Sequence, residues 1–190
     1  MFFKPLLMVS LVLLYLTAVD KPKLIFVSAL FFSFLGDVLL LNKGDFFLYG
    51  LAAFLITHIL YIKIIAQFLE KEITTKMISS SVPFLLFFIG VFYLIYSNLG
   101  SMLFPVLIYG IVIATFGAIS LLNYREFQSK PNFYLLFGAI LFILSDSFIA
   151  INKFYHEEVY FHFFIMLTYI IAQFLICYAM VLKRKVPITS

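Results

Sequence analysis

The sequence predicts an all-helical integral membrane protein with seven transmembrane helices. Hydrophobic residues make up 65% of the 190 residues and charged residues only 12%, and the mean hydropathy is +1.14. A soluble domain of this size needs a polar surface, so this composition excludes one. The apolar runs are continuous over about 20 residues and do not alternate, which favours membrane-spanning helices over a β-barrel. We therefore expect residues 1–190 to form a single transmembrane helical domain.

Seven apolar runs follow one another along the chain, separated by short polar stretches. Each run is long enough to cross the hydrocarbon core of a bilayer as a helix, which takes about 20 residues. The connections are short, so neighbouring helices run antiparallel and no soluble domain fits between them. The predicted spans cover residues 2–19, 24–41, 46–69, 77–96, 102–122, 132–151 and 159–182.

The breaks between these spans hold charged or turn-forming residues, which end the helices. The sequence Asp-Lys-Pro-Lys at 20–23 separates the first two spans, and Asn-Lys-Gly-Asp at 42–45 separates the second from the third. The later breaks have the same character. They cover residues 70–76, 97–101, 123–131 and 152–158.

Basic residues are distributed unevenly between the two sides of the predicted bundle. All but three of the 13 lysines and arginines fall on the side that holds residues 20–23. The exceptions are Lys4, Lys43 and Lys153. The positive-inside rule then places the N-terminus outside and the C-terminus in the cytoplasm of a multi-pass protein of the cell membrane, the inner membrane if the source is bacterial. Insertion topology also explains the net charge of +4, so no nucleic-acid partner is expected.

Spans 1–3 and spans 5–7 share a weak sequence repeat. Each unit opens with a proline, carries an acid towards the end of its second span, and has a histidine in its third span. The matching residues are Pro5 and Pro105, Asp37 and Asp146, and His58 and His162. Such a 3+1+3 arrangement predicts parallel repeats with a site at their interface. Chance matches within Phe-, Leu- and Ile-rich sequence are the alternative.

Two aspartates are the strongest candidates for functional residues. Of the nine acidic residues, only Asp37 and Asp146 fall inside predicted spans, each about 6–8 Å below the outer end of its span at 1.5 Å per residue. A carboxylate at that depth is costly, so such residues face the bundle interior and usually serve a function. The alternative is that each pairs with a base such as Lys4 or caps a neighbouring helix.

Polar residues on other spans could line the same interior. His58 lies near the middle of the membrane, where a core histidine that donates to a carbonyl is an equally valid interpretation. Tyr109 lies one or two turns deeper than the aspartates and could reach the same cavity. Tyr169 and Gln173 are expected to form interhelical hydrogen bonds first and ligand contacts second.

Glu158 and His162 are four residues apart and could in principle bind a metal ion. A structural or catalytic metal site needs a second pair of ligands or an HExxH pattern, and the sequence has neither. It also lacks a GxSxG nucleophile motif and a phosphate-binding glycine loop. We therefore expect no metal and no cofactor.

Several of these residues stand in an order that resembles the YhhN family of multi-pass membrane proteins. The resemblance covers nearly the whole chain. The segments that carry it are Phe3-Lys4-Pro5-Leu6, Ser33-Phe34-Leu35-Gly36-Asp37, Gly50-x3-Phe54-x3-His58-x2-Tyr61, Gly138-Ala139-x-Leu141-Phe142-x2-Ser145-Asp146-x3-Ala150 and Tyr169-x3-Gln173-Phe174-Leu175-Ile176. The family is generally described with eight spans, whereas this sequence predicts seven, with the first helix of the family pattern absent.

The resemblance implies a membrane-embedded hydrolase. Members of the family include lysoplasmalogenases, which cleave the vinyl ether bond of a lysoplasmalogen, a lysophospholipid, into a fatty aldehyde and a glycerophospho-base. It further implies Asp37 and Asp146 as catalytic residues. Residues that would bind the substrate or support the aspartates are Lys4, His58, Tyr109, Ser145, His162, Tyr169 and Gln173. The substrate would come from the bilayer.

The two aspartates suit this chemistry, because vinyl ethers hydrolyse by protonation of the alkene carbon followed by capture of an oxocarbenium ion by water. Two nearby carboxyls in a low dielectric share protons unequally, so one can act as the acid while the other stabilises the cation, as in glycosidases. The sequence does not decide which aspartate has which role. A small proton-coupled transporter is the alternative function, since membrane acids and parallel repeats are equally natural there.

Overall fold

The computed structural model describes residues 3–41, 46–69 and 75–185, with side chains for 5–41, 46–69 and 75–183, and its regular structure is helical throughout these ranges. The helices are α1 (Phe3–Ala18), α2 (Leu24–Leu41), α3 (Phe47–Ala66), α4 (Thr75–Ile95), α5 (Leu103–Glu126), α6 (Lys130–Phe154) and α7 (Val159–Lys185). Two short 3₁₀ turns, Tyr96–Asn98 and Gly100–Met102, lead from α4 into α5.

The described helices confirm the prediction of a seven-helix membrane protein. Six of them, α2 to α7, are long and apolar enough to cross a bilayer. Helix α1 is shorter, with 16 residues, so it rises only about 24 Å at 1.5 Å per residue. The chain is therefore a multi-pass membrane protein.

Helix ends differ from the predicted ends where polar residues continue the backbone hydrogen bonding. Helix α6 ends at Phe154 and not at 151, because the backbone N–H of Tyr155 still donates to the carbonyl of Ile151 at 2.9 Å. At its other end the hydroxyl of Ser129 accepts a hydrogen bond from the N–H of Asn132, and a proline follows in the first turn. Both features favour a helix start. Hydropathy marks only the apolar part of a helix, so the polar turns at its ends were not predicted.

Six helices pack in a closed ring in the order α1, α2, α3, α5, α6, α7, and α7 packs on α1 again. Helix α4 lies outside this ring and packs on α5 and α6. The two units of three helices are thus adjacent in the ring, with the linking helix outside it. The internal repeat itself stays a prediction.

Glycines allow the closest helix contacts, which position both aspartates. A Cβ atom at Gly36, beside Asp37 on α2, would lie 2.6 Å from the ring of Phe54 on α3. On α6, a Cβ at Gly138 would lie 3.0 Å from the backbone oxygen of Ala172 on α7. Small residues at these points let the helices approach until their side chains interdigitate, as is common in membrane bundles.

Candidate active site in the helix bundle

Asp37 is held inside the bundle by a tyrosine from the last helix. Its side chain lies on α2 and the residue is only 3% exposed. The hydroxyl of Tyr169 on α7 donates a hydrogen bond to Oδ2 of Asp37 at 2.8 Å. A hydroxyl donor to a buried carboxyl stabilises its charged form and fixes its orientation. Tyr169, predicted first as an interhelical hydrogen-bond former, thus contacts one of the two candidate acids.

A polar network continues from Tyr169 towards the centre of the bundle. Gln173, one turn further along α7, donates from Nε2 to the hydroxyl of Ser33 at 3.1 Å. Its Oε1 accepts a hydrogen bond from the hydroxyl of Tyr61 on α3 at 2.9 Å. These bonds tie α2, α3 and α7 together around Asp37. The amide of Gln173 has both of its polar atoms engaged, so its role here is to fix the helices.

Asp146 pairs with a different tyrosine. It lies half-buried on α6, and its Oδ2 accepts a hydrogen bond from the hydroxyl of Tyr109 on α5. Tyr109, which was expected to reach the same cavity as the aspartates, thus contacts Asp146 directly. The two candidate acids sit in two carboxyl–tyrosine pairs, Asp37–Tyr169 and Asp146–Tyr109.

Aromatic rings lie between the two pairs; we call Phe54, His58 and Phe142 the aromatic partition. The ring centre of Phe142 lies 5.4 Å from that of Tyr169 and 4.6 Å from that of His58. The ring centre of His58 in turn lies 5.6 Å from that of Tyr109. The ring of Tyr169 thus packs on Phe54 and Phe142, and the ring of Tyr109 packs on His58, so a continuous set of ring contacts connects the two pairs.

His58 is fully buried within this partition. Its side chain has 0% exposure, and neither ring nitrogen has a well-formed hydrogen bond among the described residues. It contacts Tyr109 and Phe142 through its ring faces and edges. A third ring contact, to Phe116 on α5, adds to these, so His58 contributes to the aromatic packing between α3, α5 and α6.

Asp146 lines two neighbouring cavities. The first, which we call the lateral cleft, lies between α4, α5 and α6 and encloses about 490 Å³, including its open side. The second, the end cavity, lies among α2, α3, α5 and α6 and encloses about 430 Å³ on the same measure. The walls shared by both are Val106, Tyr109, Asp146 and Ala150. Neither of these two cavities reaches Asp37.

The end cavity lies towards the outer ends of its helices. It is lined by Leu40 in the last turn of α2, by Phe47 in the first turn of α3 and by Phe154 at the end of α6. All three ends lie on the side that the charge distribution assigns to the outside. Asp146 therefore lies between an apolar cleft within the membrane and a cavity at the membrane boundary.

The remaining predicted site residues fall into separate places. The hydroxyl of Ser145 donates to the backbone oxygen of Ile165 at 3.1 Å, so it fastens α6 to α7. Glu158 accepts from the ring of His156 at 2.9 Å, and Nδ1 of His162 is buried with no partner among the described residues. Lys4 lies in the first turn of α1, but its side chain lies outside the described part of the chain.

Sequence reasoning missed the contribution of α4. None of the 26 phenylalanines of the chain was among the predicted site residues. Four of them on α4 line the lateral cleft. They are Phe84, Phe87, Phe88 and Phe92. Their spacing of three and four residues along one helix face is the pattern that could have singled them out.

Comparison with known proteins agrees with this architecture. A model of the YhhN family matches residues 1–180 of the chain. No curated protein matches it, and no solved structure does. The family match extends over all seven helices and includes both carboxyl–tyrosine pairs. This multi-pass membrane protein belongs to the YhhN family.

Proposed function

We propose that this protein is a membrane-embedded hydrolase that cleaves the vinyl ether bond of lysoplasmalogens. The observation that carries the proposal is a tyrosine-held carboxyl, Asp146, that lines both a cleft beside α4 and a cavity towards the outer ends of the helices. An amphiphilic substrate has its scissile bond between a hydrocarbon chain and a polar head. A carboxyl that lines both the lateral cleft and the end cavity is well placed to reach such a bond.

The reaction needs one proton and one water molecule. The acid protonates the alkene carbon that does not bear the ether oxygen, and the other alkene carbon becomes an oxocarbenium ion. Water adds to that carbon and loses its proton, giving a hemiacetal. The hemiacetal collapses to a fatty aldehyde and the free hydroxyl of the glycerophospho-base. The net reaction adds one water molecule to the substrate and requires no cofactor.

Asp146 is the acid in this proposal. Asp146 lines both cavities and Asp37 lines neither, so Asp146 is the carboxyl that can reach a bound alkene and protonate it. Once ionised, the same carboxylate stabilises the cation electrostatically and can accept the proton of the attacking water. This is the exchange of acid and base roles found in glycosidases.

Asp37 supplies a second negative charge in this proposal. The hydroxyl of Tyr169 stabilises its ionised form, and Asp37 lies on the other side of the aromatic partition from Asp146. In the low dielectric of the bundle a charge acts over a longer distance than in water, so an ionised Asp37 stabilises the developing cation. The role of Asp37 is therefore electrostatic.

The test is to measure aldehyde release from a lysoplasmalogen by the purified protein in detergent. We expect Asp146→Asn to lower kcat by about 10²- to 10⁴-fold, the contribution of a general acid. Asp37→Asn should lower kcat to a smaller extent. Asp20→Asn is the matched control, because Asp20 is an exposed aspartate outside the helices, and it should leave the rate unchanged.

An isotope experiment tests the chemistry itself. In D₂O, protonation by an exchangeable carboxyl places deuterium on the carbon next to the aldehyde, provided that the aldehyde is trapped at once. Full activity in both Asp37→Asn and Asp146→Asn would rule out the proposed mechanism. If no vinyl ether lipid releases aldehyde, the hydrolase assignment is wrong and the two membrane carboxyls favour proton-coupled transport.

A further inference from the structure

We infer that the lateral cleft binds one hydrocarbon chain, and that a single-chain lipid enters it sideways from the bilayer between α4 and the ring of helices. This inference rests on the proposed function, because it names the part of the substrate that the cleft takes. The chain lies along α4, and the carbon to be protonated lies beside Asp146.

The first step is the position of α4. This helix lies outside the six-helix ring and packs on α5 and α6, and its only described buried residues are Ser80 and Ile95. Its outer face is exposed along its length, for example at Leu86 and Tyr93. A helix with one face in lipid and the other on a cleft makes that cleft accessible from the membrane.

The second step is the chemistry of the walls. The cleft is lined mainly by phenylalanine, valine and isoleucine side chains and by small residues. Its polar side chains are Tyr109, Asp146 and Ser147, and all three lie at the same level of the bundle. Apolar walls with a few convergent polar groups are typical of ligand sites.

The third step is the way α4 is fastened. The rings of Phe84 and Phe88 fill the space that side chains would occupy at Gly117 and Gly110 on α5. A Cβ at Gly110 would lie 2.0 Å from the ring of Phe88. Hydrogen bonds join the two helices at their inner ends, where Arg125 on α5 donates to Ser79 and Ser80 on α4. Along the cleft the contact consists of aromatic rings over glycines, so rotation of these rings changes the width of the cleft without breaking those bonds.

The fourth step is direction. From the level of Tyr109 the cleft continues along α5 to Ala114, five residues or about 7 Å further into the membrane at 1.5 Å per residue. The end cavity leads the opposite way, towards the membrane boundary. A polar head group belongs at the boundary, so the chain points inward towards Ala114 and the head group outward. Ala114 thus limits how far the chain can reach.

The test combines photolabelling with a variant that fills the cleft. The probe is a 1-O-alkyl lysophospholipid, whose saturated ether has no alkene to protonate, with a diazirine on its chain. We expect it to label residues of α4 and α5 that face the cleft, and excess unlabelled lysophospholipid should compete. Ala114→Phe should lower this labelling at least tenfold. Ala52→Phe, the same change at an exposed position of α3, should leave it unchanged.

Turnover gives a second measurement. Ala114→Phe should raise KM for a long-chain lysoplasmalogen at least tenfold and leave a short-chain substrate within twofold. Ala114→Leu, which adds less volume, should give a smaller shift in the same direction, and each variant should elute as a monodisperse peak.

Labelling spread evenly over the lipid-facing residues, without competition, would overturn the chain site. Competed labelling of the cleft without aldehyde release from any substrate would support the chain site and contradict the proposed hydrolase. Aldehyde release that Ala114→Phe leaves unchanged at every chain length would contradict the chain site and leave the hydrolase standing.

Discussion

At the scale of single residues, the two aspartates differ in surroundings more than the sequence suggested. Both lie inside predicted spans, where a carboxylate is energetically costly, and this cost identified them as candidate functional residues. Asp37 is buried within a network that includes Tyr169 and Gln173, whereas Asp146 is half-buried, bonded to Tyr109 and open to two cavities. Their partners come from helices far apart in sequence, so no local pattern could have matched each acid to its tyrosine.

Removing the two tyrosine hydroxyls should therefore have different effects. Tyr109→Phe keeps the ring but releases Asp146, and we expect kcat to fall about 10- to 100-fold with little change in KM, since a hydrogen bond to a charged group contributes about 1.5–3 kcal/mol. Tyr169→Phe removes the hydroxyl that donates to buried Asp37 and should destabilise the protein by about 1–3 kcal/mol.

Enzyme assays and thermal unfolding in detergent check both expectations. Tyr93→Phe is the control, because Tyr93 is 85% exposed. Equal loss of stability in the Tyr109 and Tyr169 variants, with normal turnover in both, would contradict the distinction drawn between the two pairs.

At the scale of helices, glycines decide which neighbours touch. The spans and their order were predictable, because a membrane helix needs a continuous apolar run and the breaks are polar. Which helices pack against each other was less predictable. Small residues occur on several faces of these helices, and the sequence does not say which of them meets a ring or a backbone from another helix.

Gly138→Ala should destabilise the protein by about 1–3 kcal/mol, the usual cost of overpacking. Its Cβ would lie 3.0 Å from the backbone oxygen of Ala172, and a backbone atom cannot rotate away as a side chain can. Gly90→Ala is the matched control, since a Cβ there meets no atom within 4 Å. We expect that change to be neutral or stabilising by up to about 1 kcal/mol, through the helix preference of alanine. If the two variants unfold at the same midpoint, the α6–α7 contact is looser than described.

At the scale of the whole molecule, the distribution of charge determines orientation. The connection between α4 and α5 is predicted to lie outside, and the one between α5 and α6 inside, with Arg125 and Lys130. The six-helix ring and the place of α4 outside it then define which cavities face lipid and which face the boundary.

Cysteine labelling in intact cells tests this orientation. Cys177 is the only cysteine of the chain and is buried, so Cys177→Ala provides a cysteine-free background. In that background a membrane-impermeant maleimide should label Ser97→Cys in intact cells. It should label Gln128→Cys only after lysis, and both positions are exposed outside the helices that span the membrane. The reverse pattern would invert the orientation and place the end cavity on the cytoplasmic side.

The sequence by itself determined that the protein is a membrane bundle of seven helices and that two aspartates lie inside it. Both conclusions follow because the surrounding solvent is lipid. Lipid cannot hydrogen-bond the backbone, so the chain forms long apolar helices, and a carboxyl inside such a helix is rare because it is energetically costly. The tertiary structure alone decided that Tyr169 holds Asp37, that Tyr109 holds Asp146, and that α4 forms the outer wall of a cleft ending at Asp146. These features depend on the rotation and order of helices around the ring, which arise from contacts between residues far apart along the chain.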